Sequence, residues 1–314
     1  MRRIILIILV VLFGFSVSPA YSYWIWTPKT GKWINPKRQA KPDPKSQFEF
    51  AKSFYDTKDY EQAKREFKKV LKEYSKSFEA SEAQYYLAVI EEKQGNLYPA
   101  FLAYQAVIDK YPFSERIGEI VQMEYNIAEA FMSGEKRKAM GVVLPVENPA
   151  IEILNKVIDN STYGPLAPKA QYKLGLVLKS LLRPYEAEDV FNKVVANYPD
   201  SEWAEPARFQ IASCRAMLSK SPDYDQGSAA EAKQKFEGFV KDHPDAELSK
   251  DAEKNIESLS DKEAESKYNI AKFYQKQKAF DAAKIYYQDV IDNYSQTKWA
   301  EMAKDALQLM ETKK

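Results

Sequence analysis

Side chains able to carry out catalysis or bind a metal are scarce in this 314-residue chain. There is one histidine, His243, which we expect at a helix end, and one cysteine, Cys214, which we expect to be a buried apolar residue. They leave no material for a nucleophile triad or a His-based metal site. Carboxylates occur on polar helix faces or in loops, as in Glu91, Glu92, Asp223 and Asp225. No glycine-rich phosphate loop occurs either, so the sequence predicts no enzyme activity, metal or cofactor.

A recurring aromatic residue is more informative than these polar groups. Six times an aromatic residue lies three positions before a small one, with another apolar residue directly before the small one. The six aromatic and small pairs are Phe48 and Ala51, Tyr85 and Ala88, Tyr125 and Ala128, Tyr172 and Gly175, Phe209 and Ala212, and Tyr268 and Ala271. Such recurrence indicates a repeat array, which ordinarily serves as a binding scaffold.

A second apolar pattern follows each of these pairs. Five units carry apolar or aromatic residues at offsets of 0, 4 and 7, with a Tyr or His at offset 11, as in Ala63, Phe67, Val70 and Tyr74. These offsets fall on one side of a helix, so the second element of each unit is predicted to be amphipathic. The third unit keeps only Ala150, Leu154 and Val157.

The spacing of the small residues resembles that of tetratricopeptide repeat proteins. A small residue is followed by Ala twelve positions later and then often by Pro after twelve more, as in Gly175, Ala187 and Pro199. The resemblance covers about residues 46 to 310 and implies an all-α solenoid of about six helix-turn-helix repeats. The interval is longer in repeats three and five, which predicts insertions between their helices.

Three segments follow from these patterns: residues 1–22, 23–45 and 46–314. Arg2 and Arg3 precede an apolar run, and Ala20 and Ser22 occupy the −3 and −1 positions of a cleavage site. We therefore expect a signal peptide cleaved near Ser22 and export of the rest of the chain. The net charge of +1 gives no general attraction to nucleic acid.

The segment before the repeats is rich in tryptophan, with Trp24, Trp26 and Trp33 close together. One interpretation is a short hairpin around Thr30 and Gly31 whose indoles pack on the first repeat. A second is a membrane-interface anchor helped by six nearby basic residues, and a third is a partner-binding peptide. The prolines that follow, Pro36, Pro42 and Pro44, predict an extended linker.

The exported repeats resemble one family more closely, the BamD family of periplasmic β-barrel assembly factors. The likeness lies in Ala170–Gly175, in Asn197–Ser201 and in a long predicted helix that enters the last unit. It implies recruitment of unfolded outer-membrane proteins by the N-terminal repeats and docking of the C-terminal repeats on a barrel-forming partner. Family members are usually acylated on a cysteine after the signal, whereas no cysteine precedes Cys214 here. The chain is then soluble in the periplasm, attached through its Trp-rich segment, or a relative with another role.

The first four aromatic residues of the repeats are candidates for a peptide groove. In tetratricopeptide units this position commonly faces the concave surface, which predicts contacts with extended substrate from Phe48, Tyr85, Tyr125 and Tyr172. The alternative is that these rings fill space between repeats.

Three other functions compete with barrel assembly. Two are scaffolds: a tetratricopeptide coordinator of envelope constriction or cell-wall synthesis, and a subunit of a secretion or exopolysaccharide export system. The third is a peptidoglycan lytic enzyme, which is disfavoured because the repeats run almost to Lys314 and leave no room for a catalytic domain.

Overall fold

A computed structural model describes residues 24–28, 31–35, 39–136, 138–139, 142–143, 148–219 and 226–312. Within these residues the chain forms thirteen α-helices and two short antiparallel hairpins. None of these helices is both long enough and apolar enough to cross a membrane. The predicted signal peptide, Asp223 and Asp225 lie outside the described residues.

The helices follow one another in six pairs and one final helix. In chain order they are α1 Pro44–Asp56, α2 Tyr60–Glu73, α3 Phe78–Lys93, α4 Leu97–Lys110, α5 Ile117–Met132, α6 Ala150–Asn160, α7 Leu166–Ser180, α8 Pro184–Asn197, α9 Ala204–Leu218, α10 Gln226–Asp242, α11 Glu247–Lys276, α12 Phe280–Asn293 and α13 Lys298–Thr312. The six predicted helix-turn-helix repeats are therefore confirmed. The predicted long helix is also confirmed, because α11 has 30 residues.

The hairpins lie outside these pairs. Strands β1 (Ile25–Thr27) and β2 (Lys32–Ile34) form the first, in the Trp-rich segment. Strands β3 (Lys138–Ala139) and β4 (Val142–Val143) form the second, in the predicted insertion of repeat three. The predicted extended linker ends earlier than expected, because Pro44 is the first residue of α1 and Asp43 caps that helix through the Ser46 amide (2.9 Å).

The chain divides into two compact units, residues 1–90 and 91–314, with the boundary inside α3. In the first unit α1 packs on α2. The ring of Phe67 on α2 stacks on that of Tyr86 on α3, with 5.4 Å between centroids. In the second unit each helix from α4 to α13 packs on the next one. The predicted stripe is confirmed in both units, since Ala, aromatic and Val positions such as Ala187, Phe191 and Val194 are fully buried.

The small position of the first helix allows this close packing. Ala51, Ala88, Ala128, Ala212 and Ala271 are all fully buried there. At the equivalent Gly175, a Cβ atom would lie 2.5 Å from Cε1 of Phe191 on the following helix. The helix pair α7 and α8 therefore approaches at a distance that only glycine permits.

The turn inside a repeat has a left-handed residue as its second member. Lys58, Leu182 and Lys278 have φ near +60° at this position, and Gly95 has φ of 75° in repeat two. In repeat four the amides of Leu182 and Arg183 donate to the carbonyls of Lys179 and Leu178, both at 3.0 Å. These bonds satisfy carbonyls at the end of the first helix and so set the direction in which the second one leaves.

In two repeats the tyrosine that ends the stripe bonds a residue just before the first helix of that repeat. In the first unit the Tyr74 hydroxyl donates to the Lys41 carbonyl, and in the second the Tyr198 hydroxyl donates to the Thr162 carbonyl at 3.1 Å. The Ser predicted as a helix cap three residues later does so at Ser77, which accepts from the Ala80 amide at 3.2 Å. At Ser201 the hydroxyl instead donates back to the Tyr198 carbonyl at 2.8 Å. These bonds tighten the connections that hold successive helix pairs in register.

Candidate protein-binding surfaces

The first two groove candidates lie in the N-terminal unit. Phe48 on α1 is half-buried, and its ring centroid lies 5.7 Å from those of both Phe67 and Tyr86. Tyr85 on α3 is buried and contacts the edge of the Tyr86 ring. Phe48 therefore keeps the more accessible ring of the two.

The other two candidates lie in the C-terminal unit and are buried. Tyr125 on α5 is only 1% exposed, its hydroxyl donates to Glu129 at 2.7 Å, and the Lys169 ammonium lies 4.7 Å from its ring centroid. Burial and the Glu129 carboxylate raise the pKa of the Tyr125 hydroxyl. Tyr172 on α7 packs between Phe191 and Trp203, at 5.5 and 5.1 Å.

The same arrangement recurs in the last repeat. Tyr268 on α11 lies 5.4 Å from both Tyr287 on α12 and Trp299 on α13. The ring before the small residue therefore packs against the second helix of its own repeat and an indole that opens the next helix. These rings fill space between helices in the structure, and contact of Phe48, Tyr85, Tyr125 and Tyr172 with a ligand stays a prediction.

The Trp-rich segment does form the predicted hairpin around Gly31, whose φ is +60°. Trp26 and Trp33 are cross-strand partners, with ring centroids 5.7 Å apart. Their exposed fractions are 47% and 63%, and that of Trp24 is 51%. About half of each indole surface therefore remains open to solvent.

A cleft of about 900 Å³ lies at the C-terminal end of the second unit, and the sequence patterns did not reveal it. It is formed by the end of α11, the start of α12 and the last turns of α13. Phe280 and Leu309 line it with exposed apolar surface. Its charged lining residues are Lys276, Lys278, Asp281 and Lys284. We call it the C-terminal cleft. Apolar surface with charged residues around it is a common composition for a protein interface.

Buried polar groups are a second feature that the sequence patterns missed. Glu124 on α5 is fully buried, and burial raises its pKa to about 8. Its side chain accepts from Asn160 at 3.3 Å, while Asn160 also donates to Gln105 at 2.9 Å. One Glu124 oxygen has no hydrogen-bond partner among the described residues. This network joins α4, α5 and α6 inside the second unit.

The described residues that were first considered for catalysis or metal binding are buried or in contact with neighbouring side chains. Cys214 is fully buried, as predicted, and burial raises the pKa of its thiol to about 11. His243 is half-buried directly after α10, where Nδ1 lies 3.6 Å from a Glu205 oxygen. Glu92 accepts from the Tyr104 hydroxyl at 2.6 Å, and Glu91 accepts from the Asn96 amide group at 2.9 Å.

Comparison with known proteins supports this fold and suggests a functional context. A family model described as outer membrane lipoprotein (YfiO) matches residues 219–314, and two tetratricopeptide repeat models match residues 48–115 and 169–201. The fold is that of a tetratricopeptide solenoid. The outer membrane protein assembly factor BamD of Rickettsia prowazekii is 26% identical over 148 residues, which are 47% of this chain. The matched stretch spans only 59% of that relative's length.

Solved structures of repeat proteins are also similar. The C-terminal part of a TPR repeat-containing protein from Cytophaga hutchinsonii is 19% identical, with a TM-score of 0.36, covering 83% of this chain and 87% of that one. A tetratricopeptide repeat protein from Parabacteroides merdae is 16% identical, with a TM-score of 0.34, covering 85% and 98%.

Proposed function

We propose that this protein is a non-catalytic scaffold of outer-membrane β-barrel protein assembly, exported to the periplasm and associated with the outer membrane. The observation that carries the proposal is the match of residues 219–314 to an outer membrane lipoprotein family, supported by the similarity to BamD. The matched region contains α10 to α13 and hence the C-terminal cleft.

The C-terminal cleft is the proposed docking site for the barrel-forming partner. Its exposed Phe280 and Leu309 would lose apolar surface on docking, and Lys278 and Lys284 would pair with carboxylates of the partner. Phe280 is 48% and Leu309 59% exposed, so burying what remains accessible of both could contribute about 1.5–3 kcal/mol before the cost of association. Micromolar binding of a folded periplasmic domain requires about 8 kcal/mol net, so further contacts around the cleft would have to supply most of the docking free energy.

Unfolded outer-membrane proteins are the proposed second class of partner. Phe48 is the groove candidate with the most accessible ring, so it is the residue of that set best placed to contact an extended segment. Tyr85, Tyr125 and Tyr172 would act mainly by holding the helices that shape the surface, because little of each ring is exposed.

Crosslinking in the periplasm followed by identification of the captured proteins tests this function. We expect a barrel-forming assembly protein among them, and depletion of the scaffold should lower the amount of folded outer-membrane barrels. Normal barrel levels after depletion, with no such protein captured, would contradict the proposal. Capture of secretion or cell-wall enzymes instead would favour the competing scaffold functions.

A matched pair of variants tests the docking site. Phe280→Arg with Leu309→Arg places two charges in the C-terminal cleft and should abolish the crosslink to the partner. Phe113→Arg changes an almost fully exposed ring in the turn after α4 and should leave that crosslink intact. Equal crosslinking by both proteins would exclude the cleft as the docking site.

A further inference from the structure

We propose that the hairpin formed by residues 24–28 and 31–35 is a membrane-interface anchor that inserts its three indoles into the headgroup region of a bilayer containing anionic lipid. The inference adds a mode of membrane attachment to the proposed scaffold. It concerns a different segment from the C-terminal cleft and can be tested without any protein partner.

The strand register places Trp26 and Trp33 on one face of the hairpin. Trp26 lies opposite Trp33, and Trp24 directly precedes the first strand, two residues before Trp26. Trp26 and Trp33 are in ring contact, and the exposed fractions of 47% to 63% mean that all three indoles offer aromatic surface to the outside. Ile25, on the other face, is also exposed at 41%.

The chain uses its remaining two tryptophans differently. Trp203 and Trp299 open α9 and α13 and pack against Tyr172 and Tyr268, with ring centroids 5.1 and 5.4 Å apart. The hairpin tryptophans instead leave about half of their surface in water, which is unfavourable for so large an apolar group. A bilayer interface removes this cost, since an indole can bury its ring among acyl chains while its N–H stays hydrated.

The excess of basic residues around the hairpin favours binding to an anionic lipid surface. Residues 23–45 contain six basic side chains and one acidic one, Asp43, whereas the whole chain is almost balanced with 46 basic and 45 acidic residues. The six are Lys29, Lys32, Lys37, Arg38, Lys41 and Lys45. Basic side chains close to an anionic bilayer each add a favourable electrostatic contribution, which salt screens.

The chain after the hairpin is held on the first repeat, so insertion would position that unit. The Lys41 amide donates to Gln47 on α1 at 2.8 Å, and its carbonyl accepts from Tyr74 after α2. The path from Asn35 to this held residue is at most about 20 Å when fully extended. A membrane-bound hairpin therefore keeps the first repeat close to the lipid surface.

Flotation with lipid vesicles tests the anchor, using the protein as it is recovered from the cell envelope. We compare vesicles of phosphatidylcholine alone with vesicles containing about one third phosphatidylglycerol. Binding should be stronger to the anionic vesicles and should fall as NaCl is raised. Replacing Trp24, Trp26 and Trp33 together by Ser should lower the partition coefficient at least about 100-fold, on the basis of about tenfold for each partly buried indole. Any contribution from residues 1–22 is common to both proteins and cancels.

Charge reversal in the hairpin, compared with the same reversal elsewhere on the protein, shows whether the position of the charges or only the net charge controls vesicle binding. Lys29→Glu with Lys32→Glu should weaken binding to the anionic vesicles by about 100-fold, while having a small effect with phosphatidylcholine. Lys250→Glu with Lys304→Glu makes the same change in net charge at exposed sites on α11 and α13 and should alter binding less than threefold.

A fluorescence experiment keeps the hairpin unchanged. In the variant Trp203→Phe with Trp299→Phe only the hairpin indoles remain, and vesicles carrying brominated acyl chains should quench their emission. Failure of these lipids to quench that emission, or undiminished vesicle binding by the Trp-to-Ser variant, would overturn the proposal whatever the result of the partner crosslinking. If the hairpin served a protein partner instead, neither vesicle effect would be observed.

Discussion

Gly175 offers the sharpest test of how the repeats are packed. A Cβ atom added at this position would lie 2.5, 2.6 and 2.9 Å from three ring carbons of Phe191, distances that real Cβ contacts do not adopt. The ring cannot simply rotate away, because Phe191 is fully buried and lies 5.5 Å from Tyr172. Gly175→Ala therefore requires α7 and α8 to separate or the ring to leave its rotamer.

The expected magnitude follows from two opposing effects. Overpacking of a well-packed core costs about 1–3 kcal/mol. Alanine in place of glycine within a helix returns about 1 kcal/mol through helix propensity. The free energy of unfolding should therefore fall by up to about 2 kcal/mol in Gly175→Ala. Gly238 lies within α10, where an added Cβ atom would meet no neighbouring atom within 4 Å, so Gly238→Ala should raise stability by up to about 1 kcal/mol.

Urea unfolding followed by circular dichroism measures both variants. Opposite signs of the change in midpoint are expected, with an unchanged slope. The double variant Gly175→Ala with Phe191→Leu should show a coupling energy, since the smaller side chain removes the clash. If Gly175→Ala were as stable as Gly238→Ala, the close approach of α7 and α8 would not constrain this position and our reasoning would be refuted.

Three further perturbations have defined outcomes. Leu182→Gly should stabilise the protein by about 0.5–1 kcal/mol in urea unfolding because φ is 58° at this exposed position, whereas Gly95→Ala should destabilise it, since φ is 75° there. Tyr125→Ala should cost about 3–5 kcal/mol as a buried ring, while Tyr163→Ala, at a fully exposed residue, should change stability by less than about 0.5 kcal/mol. Glu124 has a folded pKa of about 8, above its ordinary value of 4.5, so the stability that its protonated form provides is complete below pH 4.5 and is lost between pH 4.5 and 8. Glu124→Gln should remove that part of the pH dependence, seen in thermal unfolding at a series of pH values.

Each of these has a result that contradicts it. Equal effects of Leu182→Gly and Gly95→Ala would show that the left-handed turn residue does not limit stability. A stable Tyr125→Ala protein that binds substrate poorly would favour the groove over the packing interpretation. An unchanged pH profile in Glu124→Gln would mean that this carboxyl ionises in the folded protein as readily as in the unfolded one.

The helices were predictable because their apolar positions recur at helical spacing. Ala63, Phe67 and Val70 mark one stripe in the sequence and are fully buried in the structure. The apolar position directly before the small residue is less uniform, because Ile127 is buried, whereas Phe50 on α1 is exposed, with the Lys41 ammonium 4.2 Å from its ring centroid. Recurrence in the sequence alone therefore does not determine whether this position is buried.

Positions outside the stripe could not be assigned from the sequence. The turn residue Leu182 adopts a left-handed conformation, which is usually found at glycine, so its residue type gave no indication of it. Glu124 belongs to a residue type that ordinarily faces solvent, yet it is enclosed with Asn160 from another helix. Both depend on which helices become neighbours.

The sequence alone determined the repeat architecture and the location of the Trp-rich segment, because both rest on local spacing and composition. Tertiary structure decided which side chains are accessible. It buried Tyr125 and Tyr172, which the sequence offered as groove candidates, and left Trp26 and Trp33 exposed on one face of a hairpin. Burial depends on residues distant in sequence that cover a surface, and a local pattern does not contain that information.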